Sequence, residues 1–180
     1  MPGNAAALTT LAAVLAELGL TGTIDAARDA YLTTLIDRYS AKFATLCNRS
    51  FYFDPAVVEY LPGYGNTRLV LKRTPIVSVA SLVYDGGTID PVDYMIENAN
   101  AGFLYARYGF RNTAARQGGS ITGDIWPGTE APVYVCTYAG GYVTPQQATD
   151  GVTGGPPLPP DIELAIIEAA VRDRAIAGSG

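Results

Sequence analysis

The chain has 180 residues, a net charge of −5 and no histidine. Its acidic balance, with a pI near 4.6, argues against a protein that grips nucleic acid through clustered Lys and Arg. The missing imidazole excludes Ser-His-Asp and Cys-His nucleophile systems and every histidine metal site. Charged residues are only 16% of the chain and apolar ones 48%, against about 25% charged in ordinary domains. A chain so poor in charge has either an unusually large core or outer surface to hide against partners, and the second is the favoured reading. Twelve tyrosines against five phenylalanines point the same way, since tyrosine suits sites where the ring is covered and the hydroxyl still finds a partner. At this length one domain with its own core is expected.

In chain order, Ala5–Leu18 reads as a short helix with Leu8, Leu11, Leu15 and Leu18 on one stripe. The first twenty residues contain no basic side chain, so a secretory signal is not expected. No apolar run approaches the roughly 18 residues that span a bilayer, so a soluble protein without membrane contact is expected. Gly19 and Gly22 break the first helix, and Thr23 is placed to cap a second one over Ile24–Cys47. Ala27, Tyr31, Leu35, Tyr39, Phe43 and Leu46 mark its expected buried stripe. Phe51-Tyr52-Phe53 follows at once, placed to pin that helix to a sheet.

From Pro55 the period changes to two. Strands are expected at Val57–Leu61, Arg68–Lys72, Ile76–Tyr84, Asp93–Glu97, Phe103–Arg107 and Val133–Tyr138, punctuated by Pro62-Gly63, Gly65-Asn66, Asp85-Gly86-Gly87 and Asn100-Ala101-Gly102. Spacing this short favours antiparallel hairpins. In the last strand Val133, Val135 and Thr137 alternate with Tyr134, Cys136 and Tyr138, which gives two faces to bury. Residues 108–132 read as a long loop and residues 143–160 as a Pro/Gly spacer. Pro160 then opens a helix over 161–177, acidic at its start, with Arg172 and Arg174 near its end. The helix is apolar around most of its circumference, so its Ile162, Ile166, Ile167 and Val171 are expected to meet a neighbouring chain. The fold class is therefore α+β, with N-terminal helices and a C-terminal helix packed on or beside a central antiparallel sheet region. Within one domain, residues 1–50 are helical and 55–142 β-rich.

Chemistry is sparse. Asp85, Asp90, Asp93 and Glu97 lie close in sequence and could do acid–base work or hold a divalent ion, but they straddle turns and fit no calcium loop. Solvated turn charges are the plainer reading. Gly118-Gly119-Ser120 lacks the Lys-Ser/Thr of a phosphate loop. Cys47 and Cys136 form no ligand pattern and read as buried thiols of a reducing compartment. Arg107, Tyr108, Phe110, Arg111 and Arg116 interleave cations with rings. Stacking on single-stranded nucleic acid, contact with an acidic protein surface and a solvated loop all remain open for them. Trp126 is a contact anchor or a core ring at the strand entry.

The order of these motifs resembles one family. A long helix ending Leu46-Cys47-Asn48-Arg49-Ser50-Phe51 precedes Glu59-Tyr60-Leu61-Pro62-Gly63, then Leu69-Val70-Leu71-Lys72-Arg73-Thr74-Pro75-Ile76-Val77-Ser78-Val79. Tyr84 to Gly87, Trp126-Pro127, the run Val133 to Tyr142 and the proline-led helix after Leu158 follow. Over about residues 24–175 this resembles the head–tail connector (adaptor) proteins of tailed bacteriophages. The resemblance implies a structural virion protein, not an enzyme, with no cofactor or metal. It implies a ring, usually a dodecamer, between the portal protein and stopper or tail proteins, assembled in the host cytoplasm, through which DNA passes without specific binding. It implies that the C-terminal helix, with Ile162, Ile166, Ile167, Val171, Arg172 and Arg174, meets the portal or an adjacent subunit. The loop with Arg107, Tyr108, Phe110, Arg111, Arg116 and Trp126 would then meet the tail side or the adjacent subunit. Another neck or tail protein, a stopper or tail-completion factor, is the nearest alternative. A carboxylate-dependent metal-binding hydrolase is the remote one.

Overall fold

The structure, a computed structural model, describes residues 4–20, 25–111 and 134–177, with side chains as far as residue 173. The chain divides into two compact units, one formed by its two ends and one by residues 54–140. The fold class is α+β, and both of its sheets are antiparallel.

The first unit holds helices α1 (Leu11–Glu17), α2 (Ala26–Leu46), α3 (Pro145–Thr149) and α4 (Pro160–Ala177). The expected helix from Ala5 starts six residues late, because residues 5–9 find better partners outside a helix. The Asn4 side chain accepts from the Ala6 amide, the Leu8 amide donates to Ser40 Oγ at 3.0 Å, and Thr9 Oγ1 donates to Glu163 at 3.1 Å. Ala7, Leu8 and Thr9 are thereby buried, and Thr10 caps the helix. Asp25 caps α2 by accepting from Ala27; the expected cap, Thr23, lies outside the described residues. The buried stripe of α2 is Leu32, Leu35, Ile36 and Ser40, while Tyr31 and Leu46 are exposed. Of the expected stripe, Leu35 is buried and Tyr39 and Phe43 pack against the unit's core, whereas Ala27, Tyr31 and Leu46 are exposed. Aliphatic side chains can be buried without a partner for a hydroxyl, so they win the inner face.

At the exit of α2, ring contacts join the helix to the rest of this unit. Phe51 packs with Leu8, Leu158, Ile166 and Phe43, and the Arg49 guanidinium lies 4.7 Å from its ring centroid. Tyr142 donates its amide to the Phe51 carbonyl at 2.7 Å. That close approach requires Gly141, at φ +100°, where a Cβ would meet the Tyr52 oxygen at 2.3 Å. The expected 143–160 spacer is ordered instead. Thr144 and Gln147 form a capping box for α3, and Val143 pairs with Pro156 and Leu158 through backbone bonds. Composition hid this, since the order comes from two buried polar side chains among prolines and glycines. Cys47, expected to be buried, is exposed at the end of α2, and neither cysteine is in a disulfide.

The second unit is a two-layer sandwich. Its strands are β1 (Asp54–Leu61), β2 (Arg68–Val70), β3 (Ile76–Tyr84), β4 (Gly87–Thr88), β5 (Tyr94–Asn98), β6 (Phe103–Ala106) and β7 (Tyr134–Gly140). They form a four-stranded sheet in the order β1-β7-β3-β4 and a three-stranded sheet in the order β2-β6-β5. The β3–β4 turn takes positive φ at Asp85 and Gly86, as a tight hairpin requires. One core joins the sheets, with Val57, Leu61, Leu82, Tyr134, Cys136 and Tyr138 from one layer and Leu69, Leu104 and Ala106 from the other. β7 sits centrally as its two apolar faces predict, but its buried face is covered by the second sheet where helices were expected. Among the described residues no helix is long and apolar enough to cross a membrane.

Gln147 accepts from the Phe53 amide at 3.0 Å and donates to the Phe53 carbonyl at 2.8 Å, all buried. Gln147→Ala should therefore lower stability by about 2 to 4 kcal/mol, against less than about 1 kcal/mol for the exposed Gln146→Ala. Urea unfolding followed by circular dichroism checks the difference.

Candidate functional site

Pairing across the four-stranded sheet sorts its residues onto two faces. Leu61, Tyr134 and Tyr84 form one row on the core side, and Glu59, Cys136 and Leu82 form the next. Glu59 is the single acid in these rows, and three groups answer it. Its carboxylate accepts from the Tyr138 hydroxyl at 2.6 Å and from the amides of Lys72 at 3.1 Å and Arg73 at 3.3 Å. Tyr138 in turn accepts from the Arg73 amide at 2.9 Å. Burial first, then the bond to Glu59, pushes the Tyr138 hydroxyl far above its ordinary value. Burial, then the Glu59 charge, pushes the Cys136 thiol up to about 12. Both groups stay protonated near neutral pH, so the cluster positions backbone and offers no nucleophile.

Of the four acids that could have formed a metal or acid–base site, Asp90 and Glu97 go to separate tasks. Asp90 caps the short turn Pro91–Asp93 by accepting from Val92 at 3.0 Å. Glu97 forms a two-pronged pair with Arg68, with Arg68 Nη2 2.6 Å from its Oε1, and the guanidinium holds that carboxyl below the usual range. Asp85 sits in the β3–β4 turn. Among the described residues no three His, Cys, Asp or Glu side chains gather as ion ligands.

Candidate contact residues divide by exposure. On α4, Ile166 is only 2% exposed and belongs to this unit's own core, so it is not available to a neighbouring chain. Ile162, Ile167 and Val171 are half-buried against that core, Arg172 is exposed, and the side chain of Arg174 lies outside the description. Leu164, not singled out from sequence, is 48% exposed. On the loop, Arg107 and Tyr108 are exposed, with the guanidinium 5.9 Å from the ring. Phe110 is instead a core ring, edge-on to Tyr134 at 5.4 Å. Arg111 is exposed, donates its amide to the Tyr134 hydroxyl at 2.6 Å, and lies 5.8 Å from the Tyr84 ring. Arg116 and Trp126 lie outside the described residues. Tyr84, Tyr134 and Phe110 line an open cleft of about 560 Å³ with Asp93 and Arg111 at its walls.

The surfaces that sequence reading passed over are the outer faces of the two sheets. On the four-stranded sheet, Tyr60, Val135, Val83 and Thr88 form one row, with Val58, Thr137 and Ser81 beside it. Tyr60 is 70% exposed. On the three-stranded sheet the rows are Arg68, Tyr105, Met95 and Val70, Phe103, Asn98, with Met95 60% exposed. The alternation in Val57-Val58-Glu59-Tyr60-Leu61 carried the signal, since Val57 and Leu61 inward force Val58 and Tyr60 outward.

Comparison with protein-family models gives no match for this chain, and comparison with curated proteins gives none.

Two measurements test the Glu59 cluster. Glu59→Ala should cost about 2 to 3 kcal/mol by leaving the Lys72 amide and Tyr138 hydroxyl short of an acceptor, with Glu59→Gln retaining part of it. Urea unfolding reads this. Because the folded Cys136 value lies above the ordinary 9.0, its contribution is complete below about pH 9 and is lost as pH rises toward 12. The melting temperature should fall from about pH 8 to about 10.5, and the fall should be shallower in Cys136→Ala.

Proposed function

We propose that this protein is a structural component of the head–tail junction of a tailed phage, forming a ring between portal and tail or neck proteins. The observation that carries the reading is the set of large apolar side chains left exposed on strand and helix surfaces, among them Val58, Tyr60, Val70, Met95, Tyr108 and Leu164. In a chain with 16% charged residues, such surface is accounted for by assembly. The motif order from Leu46 to Leu158 adds the particular family. The acidic balance suits a channel through which DNA slides without being held, since like charge keeps the backbone off the wall. Asp90 is spent on a cap and Glu97 on an ion pair, and among the described residues no three potential ligand side chains gather, which leaves the hydrolase reading without a metal site there. In this reading the protein resides in the virion neck, takes no cofactor and assembles in the host cytoplasm.

On α4 the contact with portal or adjacent subunit falls to the exposed Leu164 and Arg172, with Ile162, Ile167 and Val171 at its margins. Ile166 is a fold residue. Leu164→Asp should leave the melting temperature unchanged and weaken portal binding about tenfold, whereas Ile166→Asp should unfold its unit. Light-scattering mass of the protein, alone and with the portal encoded in the same genome, tests the reading. Rings, or a monomer that joins portal, are expected. A monomer with no affinity for portal at any salt concentration overturns it, and binding to tail tube alone replaces the adaptor with a stopper or completion factor.

A further inference from the structure

We infer that the two units of this chain open as separate bodies yet hold each other shut, and that the device coupling them is the doubled chain crossing at Phe53–Asp54 and Gly140–Gly141. The coupling rests on the fold alone and is independent of the ring reading. Each unit has its own core. Val57, Leu82, Leu104 and Tyr138, all within residues 54–140, belong to the core of the sandwich. The other unit has no complete core until both chain ends meet. Ala170 joins the cluster of Val14, Leu32 and Leu35, and Leu158 and Ile166 join Leu8 and Phe51. Residues 54–140 are therefore an insert between two halves of the end-formed unit, so the chain leaves that unit once and returns to it once.

Both units fix the chain where it crosses. In the end-formed unit Tyr52 bridges Tyr142, and the Tyr142 amide donates to the Phe51 carbonyl at 2.7 Å. In the sandwich Asp54 is the register partner of Gly140. Either unit thus holds together the two ends that the other needs held. If the sandwich opens, the end-formed unit must close a flexible loop as long as residues 54–140. The chance that two such ends meet falls as about the 3/2 power of loop length, a factor on the order of a thousand here. If the end-formed unit opens, the unfolded insert regains the freedom that tethered ends denied it, and the folding equilibrium of the sandwich loses the same factor. The effect is reciprocal because it is one loop-closure entropy felt from two sides. No side chain has to carry it. A partner that opens one unit therefore loosens the other without touching it.

Amide hydrogen exchange of the full chain, read by mass spectrometry, tests this, since the slowest amides of a unit exchange only when that unit opens. Ile166→Asp, which removes a core side chain of the end-formed unit, is the first variant. Amides of α2 and α4 should then exchange at unprotected rates. Those of β3 and β7 should stay protected but exchange about a hundred- to a thousandfold faster than in the wild type. The second variant inserts about twenty Gly and Ser residues between Phe53 and Asp54, which changes no residue of either core and lengthens the crossing. Both units should fold, the coupling should drop to about tenfold, and the slowest β3 and β7 amides should exchange at least about tenfold faster than in the wild type. Unprotected β3 and β7 amides in Ile166→Asp would make the chain one cooperative body and overturn the inference. Wild-type protection of those amides in Ile166→Asp would leave no coupling to explain. Wild-type exchange in the linker variant would take the coupling away from the crossing, and either result refutes the proposal.

Discussion

The sandwich depends on how one carboxylate is used. Glu59 sits on the core side of β1, where an unpaired charge would be costly. It is satisfied by the Tyr138 hydroxyl and by the amides of Lys72 and Arg73. Those two amides belong to the segment that leaves the three-stranded sheet after β2 and enters the four-stranded sheet at β3. The same acid thus fixes the edge strand, the central strand and the crossing between layers. Gly102 and Gly140 pack against this crossing, where a Cβ at either would meet the Leu71 or Arg73 carbonyl. A neutral apolar side chain at residue 59 could fill the space but could not accept from the Lys72 amide or the Tyr138 hydroxyl, so the polar solution is the one that specifies the crossing.

The end-formed unit reaches order by a related device. Its long helix supplies only one aliphatic face, and short polar side chains tie down the segments around it. Ser40 holds Leu8, Glu163 holds Thr9, Thr144 caps α3, and Gln147 holds the backbone of Phe53. Each of these bonds but the cap joins residues more than thirty positions apart along the chain. In both units, then, backbone without regular structure is fixed by a few buried or half-buried polar groups, and the apolar clusters fill the space that those groups define.

That division explains what could be read from the sequence. Period-two runs announced the strands, and Ile76–Tyr84 begins and ends where its alternation and flanking turns say it should. The α+β class followed from the switch of period near Pro55. The long-range hydrogen bonds carry no local pattern. For that reason the local pattern starts the first helix too early, reads residues 143–160 as a bare spacer, and puts Tyr31 in place of Leu32 on the inner face of α2. Phe110 and Ile166 read as contact residues because each lies among exposed or apolar neighbours in sequence, yet the folded units claim both for their cores. The outer sheet faces were within reach of the strand pattern, but which of two apolar faces stays uncovered is decided by the second sheet, and sheet pairing is not local.

The contrast between the two thiols has a practical corollary. Cys47 lies in the open at the end of α2, while Cys136 is sealed at the centre of the sandwich and keeps its proton well beyond neutrality. A maleimide dye will therefore label the native chain at one place only, and a second equivalent will be taken up only when the sheet layers part. The molecule carries its own reporter for opening of the β-rich unit, readable from a mass spectrum without altering a residue.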